Sequence, residues 1–125
     1  MNSKIVLTYA AFLYGFFGAA WLIVPNVLGK YWAIAPGDNF TYMGHRYGAI
    51  MLGLPVAAWL MRNMPNTPAR RALMIGTFVA SFLTASISLY GALALGLNGI
   101  PAFAMELPLF LGLAWVLYIK PEPVV

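Results

Sequence analysis

Three ionisable residues stand inside long apolar runs of this chain: His45 and Arg46 in one run and Glu106 in another. A charge held in hydrocarbon costs roughly 2.5–3.5 kcal/mol or more near the bilayer centre, so residues kept there mark the first place to look for function. Arg46 lies about one turn inside its run and Glu106 about one to two turns inside its own; at ~1.5 Å rise per residue they reach similar depth from the same side. Opposite charges at matching depth are expected to pair, because either alone is expensive to bury. The pair can lock two helices together, line a pocket for the polar head of a ligand, or snorkel to the surface. The structural ion pair is the leading expectation.

His45 precedes Arg46, and neighbours on a helix point about 100° apart, so the two need not share a site. A histidine at this depth could serve as a proton relay, a hydrogen-bond donor to a quinone, or a haem ligand. Haem needs a second axial ligand, and with a single histidine in the chain only Met43, Met51 or Met105 could supply it. An interfacial, hydrogen-bonded histidine is the simpler reading. No cofactor is expected, with quinone as the one the pattern admits.

A hydroxyl ladder adds to this set. Thr77, Ser81, Thr84 and Ser88 recur at helical spacing, with Gly91 three residues further. Close helix packing accounts for such a stripe. The sharper alternative is a pocket wall, in which Thr84 and Ser88 sit nearest the depth of Arg46 and Glu106. The candidate ligand-binding residues are therefore Arg46, Glu106, His45, Ser88 and Thr84. No catalytic constellation is present and no metal site is expected. The absence of cysteine removes thiolate nucleophiles, thiolate metal sites and disulfides.

The elements that must position these residues follow from composition. Of 125 residues, 62% are hydrophobic and 8% charged. A soluble chain this short exposes too much of its surface to hide so much apolar area. Four stretches reach the roughly 20 apolar residues that a membrane-spanning helix needs. They cover about 5–24, 42–60, 72–97 and 101–119 of a single domain, 1–125. The first resembles a signal peptide in having Lys4 and small residues at Gly18, Ala19 and Ala20, but its apolar character continues through Val24. It is read as a retained span.

Pro25 and Asn26 end the first stretch, and Ala35-Pro36-Gly37-Asp38-Asn39 carries turn chemistry. Between them Val27, Leu28, Tyr31 and Trp32 suggest a short interfacial helix along the headgroups. Thr67 is placed to cap the third span, with Pro68 at its first position. Ala11, Gly15 and Ala19, then Gly44 and Gly48, form faces for close helix contact. Pro55 and Pro108 should kink their helices. The fold class is thus all-α, a four-transmembrane-helix antiparallel bundle.

Orientation comes from the basic residues. Lys4, Arg62, Arg70, Arg71 and Lys120 fall on one side of a four-span chain, while the other side has only Lys30, offset by Asp38, and Arg46 just inside. The positive-inside rule puts both termini in the cytoplasm. Trp59, Trp115 and Tyr118 then mark the inner interface, and Trp21, Tyr31, Trp32 and Tyr42 the outer one. The net charge of +4 is explained by topology, and no basic stripe interleaved with aromatics suggests nucleic acid.

The run Gly44-His45-Arg46-Tyr47-Gly48-Ala49-Ile50-Met51-Leu52-Gly53 resembles the DoxX-like group of small bacterial four-helix membrane proteins. In that group an arginine opens a glycine-rich second helix and an acidic residue often sits in the last one, features matched here by Arg46 and Glu106. The resemblance implies a bacterial cytoplasmic (inner) membrane location and, for some relatives, quinone-linked oxidation. The leading expectation is non-catalytic: an accessory subunit or a protein that binds lipid or a small ligand. Its partners would be the bilayer and other membrane-complex subunits. A quinone-linked redox component is the alternative. A small transporter is the third, disfavoured because four-helix multidrug exporters use a carboxylate in the first helix and this chain has none there.

Overall fold

The computed structural model describes residues 2–125. Five helices account for most of them: α1 Ser3–Ile23, α2 Pro25–Tyr31, α3 Asp38–Met61, α4 Pro68–Ala94 and α5 Ile100–Ala114. The last of these continues into a π-helical turn, Trp115–Ile119. The described residues contain no strand. α1, α4 and α5 with its π turn are long and apolar enough to cross a bilayer. α3 matches them in length, at 24 residues, but Asp38, Asn39, His45 and Arg46 in its first half make it more polar.

Local chemistry sets the helix ends. The Asn2 side chain accepts from the Ile5 amide and opens α1. Thr67 accepts from the Arg70 amide and Pro68 follows it, as expected at the start of α4. α3 begins earlier than the apolar run suggests, because Asp38 favours the positive end of the helix dipole. Thr41 in its first turn bonds the Asn26 side chain. α4 stops at Ala94, short of the expected 97. Gly96 takes the left-handed conformation there (φ +66) and the Leu97 amide turns back to the Gly91 carbonyl. α3 and α5 both run through their internal prolines, Pro55 and Pro108.

The helices associate as two hairpins. α1 packs along α3, with the short α2 bridging their upper ends, and α4 packs along α5. The α1–α3 contact is made by small residues. A Cβ added at Gly48 would lie 2.5 Å from the Leu22 amide nitrogen and 2.7 Å from the Gly18 carbonyl oxygen, so the two backbones touch. The buried face of α3 is Gly44, Gly48, Met51, Pro55 and Ala58. On α1, Gly18 also meets the partner, where a Cβ would lie against Leu52.

The hairpins join mainly through α1 and α5. Their common core lies in the lower half, toward the termini: Leu7, Ala10, Leu109 and Leu113 are fully enclosed, with Met74 and Leu117 beside them. On this seam the Tyr9 hydroxyl donates to the Met105 carbonyl at 2.7 Å. That carbonyl lies about one turn ahead of Pro108, whose ring and missing N–H loosen the helical ladder. Phe12, Phe16, Ile50, Leu83 and Leu93 point outward and stay exposed. An exterior this apolar suits hydrocarbon rather than water.

Candidate functional site

Above the packed lower half the two hairpins separate. The gap is a cavity of about 380 Å³ to which the four long helices and Trp32, just past the end of α2, contribute. α1 supplies Phe17 and Trp21, α3 supplies Tyr47 and Met51, α4 supplies Thr84, Ile87 and Ser88, and α5 supplies Ala102 and Glu106. Trp32, which closes α2, turns inward over Trp21 (ring centroids 5.2 Å apart) and Phe17 (6.3 Å). It is therefore a wall of the cavity. Tyr47 meets Trp21 edge to face at 5.7 Å. The volume falls at the small end of the roughly 300–1,000 Å³ typical of ligand pockets.

The hydroxyl ladder of α4 divides at this level. Thr77 and Ser81 are buried below the cavity and bond back to Leu73 and Phe78 carbonyls of their own helix, a packing role. Thr84 bonds back to the Ala80 carbonyl and lines the cavity. Ser88 leaves the backbone and donates to Glu106 Oε2 at 3.4 Å, a long contact. Glu106 otherwise has no cation within ion-pair distance among the described residues. An ionised carboxylate can accept about four hydrogen bonds, so Glu106 faces the cavity with most of its capacity unused. Below it Tyr14 is 2% exposed, and its hydroxyl has no hydrogen-bond partner.

The expected Arg46–Glu106 ion pair is not formed. Arg46 is exposed, lies over the Tyr42 ring four residues back on its own helix and reaches the Tyr42 hydroxyl at 3.4 Å. What the residue count did not give was direction around the helix. Arg46 lies midway between Gly44 and Gly48, and at about 100° per residue this is the side of α3 opposite the α1 contact. Helical side chains also lean toward the N-terminus, which carries the guanidinium to the outer end. His45 is likewise exposed and outside the cavity. Of the five candidate residues, the structure thus gathers Glu106, Ser88 and Thr84 and leaves Arg46 and His45 apart. The chain matches no known family model, curated protein or solved structure.

A second polar constellation, not anticipated, closes the opposite end. Arg70 is only 3% exposed. Its Nη2 donates to Ser3 Oγ at 2.7 Å, its Nε to the Met61 carbonyl at 3.0 Å, and its Nη1 to Glu122 Oε2 at 3.3 Å. Glu122 in turn accepts from the Ser3 amide and hydroxyl, at 2.9 and 2.6 Å. The Asn66 side chain holds the Glu122 carbonyl. Four separate segments are tied around one guanidinium. Burial alone pushes the Glu122 carboxyl up, but the Ser3 and Arg70 hydrogen bonds together outweigh it and hold the group below the usual carboxylate range. From sequence Arg70 was one of several basic flank residues. Its distinguishing position, on the first turn of α4 where the face turns inward, becomes meaningful only once the termini are known to converge there.

Proposed function

We propose that this chain is a small integral membrane protein that binds an amphiphilic small molecule in the cavity between its hairpins, without catalysing its conversion. The observation that carries the reading is the polar set in an otherwise aromatic and aliphatic cavity. Glu106 is undersatisfied and Ser88 reaches only to it. Buried polar groups are rarely left unpaired, and a cavity lined this way gains stability when a ligand completes the set. The quinone-linked alternative would need donors for the ring carbonyls. The two side chains best suited to that, Arg46 and His45, lie outside the cavity, which weakens it.

We further propose that α3 crosses the membrane with the other three long helices, in a bacterial inner membrane and with both termini cytoplasmic. The DoxX-like grouping is kept as a proposal on that layout. Support for the orientation is the gathering of Lys4, Arg62 and Arg70 around one end of the bundle. An alkaline-phosphatase fusion at the C-terminus should be inactive; periplasmic activity would reverse the orientation.

The ligand reading is tested by extracting the protein into native lipid discs and measuring bound small molecules by mass spectrometry. A stoichiometric compound is expected, and Ala102→Leu, which puts extra volume into the cavity, should exclude it. Lipid alone, identical in both preparations, would refute the reading.

A further inference from the structure

The cavity's chemistry narrows the class of ligand. Its charge balance is one-sided: Glu106 projects from α5, and no lysine, arginine or histidine is among the residues that line the space. An anionic ligand would meet a carboxylate there with nothing to offset it. The hydroxyls around Glu106 add no positive charge. Thr84 already donates to its own backbone and Ser88 donates to Glu106. What the site lacks is a cation.

The walls say the same independently. Phe17, Trp21, Trp32 and Tyr47 come from three separate segments and meet at differing angles: Trp21 is tilted by 31° to Trp32 and stands at 87° to Tyr47. Rings set at differing angles around one space are arranged to offer π faces to a ligand from more than one direction. Those faces carry negative quadrupole potential and attract ammonium-type cations, most strongly when water is excluded. The rim also fixes the rest of the molecule. Ile87 lines the cavity yet is 68% exposed, so the space opens onto the apolar outer surface of α4. A tail leaving there would enter hydrocarbon, not water.

We propose that the cavity binds a monovalent lipophilic organic cation, a quaternary or protonated amine, with Glu106 as counter-charge and the Trp21, Trp32 and Tyr47 rings as its walls. This rests on the reading of the cavity as a ligand site and specifies what enters it. A protonated amine donates to the Glu106 lone pairs that Ser88 leaves unused, whereas a quaternary one, which has no N–H, balances the carboxylate by proximity alone. A compact head suits a volume of about 380 Å³. Uncharged molecules of the same shape gain the apolar contact but neither the ion pair nor the cation–π attraction.

The test uses a matched pair of probes on the full chain in discs of zwitterionic lipid: benzyltrimethylammonium, and neopentylbenzene, in which carbon replaces the charged nitrogen. Binding is read by tryptophan fluorescence and by thermal shift, each referred to protein-free discs to remove partitioning. The cation is expected to bind at least about tenfold more tightly than its isostere, the size that a desolvated cation–π contact alone can supply. Glu106→Gln should remove most of that preference, and Trp32→Leu should weaken the cation more than the isostere. Equal binding of both probes to the unaltered protein would overturn the cation inference and leave the ligand site standing. Binding of neither, with Ala102→Leu indistinguishable from the unaltered protein, would overturn both. The comparison between probes is made on the unaltered chain, so it holds even if a variant folds poorly.

Discussion

Replacing Glu122 by alanine would leave the Arg70 guanidinium enclosed without its counter-charge. Breaking one partner out of a buried pair costs about 3–5 kcal/mol in general. Two features reduce that here. The Glu122 side chain is 33% exposed, so water can reach part of the vacated space, and Arg70 keeps the Ser3 hydroxyl and the Met61 carbonyl. The loss then approaches that of a single hydrogen bond to a charged group, about 1.5–3 kcal/mol. Arg70→Met should cost at least as much, since it removes the guanidinium's bonds to the Met61 carbonyl, Ser3 and Glu122 together. The double variant should be milder than the sum of the two by about 1–2 kcal/mol. The assay is reversible unfolding in mixed micelles, followed by tryptophan fluorescence and helical circular dichroism. A Glu122→Ala loss below about 0.5 kcal/mol, the range of an ordinary surface substitution, or a strictly additive cycle, would refute the account of this cluster. Acid gives a second reading. Because the folded carboxyl lies below its unfolded value of about 4.3, its stabilisation is full above that value and disappears as pH falls through the folded one. Unaltered protein and Glu122→Gln should therefore differ near neutrality and converge in acid.

Gly48→Ala should destabilise the first hairpin by about 1–3 kcal/mol through backbone displacement. Gly76→Ala, where an added methyl meets nothing, should stabilise α4 by about 0.5–1 kcal/mol; equal effects at the two sites in thermal unfolding would contradict the packing described. Tyr14→Phe removes a buried hydroxyl that has no partner, so the ligand-free protein should unfold at the same temperature or higher. A clear loss of ligand-free stability would show that the Tyr14 hydroxyl is already bonded.

The helices were legible because long apolar runs and their caps are local signals. Thr67-Pro68 was read correctly, whereas Gly96 was not singled out and α4 was drawn three residues too long. The candidate site was half legible. Depth follows from counting residues, and it brought Glu106, Thr84 and Ser88 to one level. Direction needed the packed face of α3, and that face is also written in the sequence: Gly44, Gly48, Met51, Pro55 and Ala58 alternate by four and three. Placing Arg46 against that stripe sends it to the back of the helix. The aromatic walls were hidden for a different reason. Trp21 and Trp32 have the composition and position of interface anchors, and only the return of the chain after α2 turns both rings inward. Arg70 was hidden most deeply, because its partners come from positions 67 residues earlier and 52 residues later.

That last separation orders events in time. During synthesis α1 and α3 are made before Arg70, so Ser3 is already waiting when the guanidinium appears, but Glu122 follows α5 in the chain. Until the second hairpin has entered the membrane and its end has returned, Arg70 has hydroxyl and carbonyl partners but no counter-charge. The first hairpin is complete in the chain before the second is made, while the Arg70–Glu122 link closes only at the end. A chain stalled before Glu122 would display an unmatched arginine at the membrane surface, a mark by which an unfinished molecule differs from a finished one.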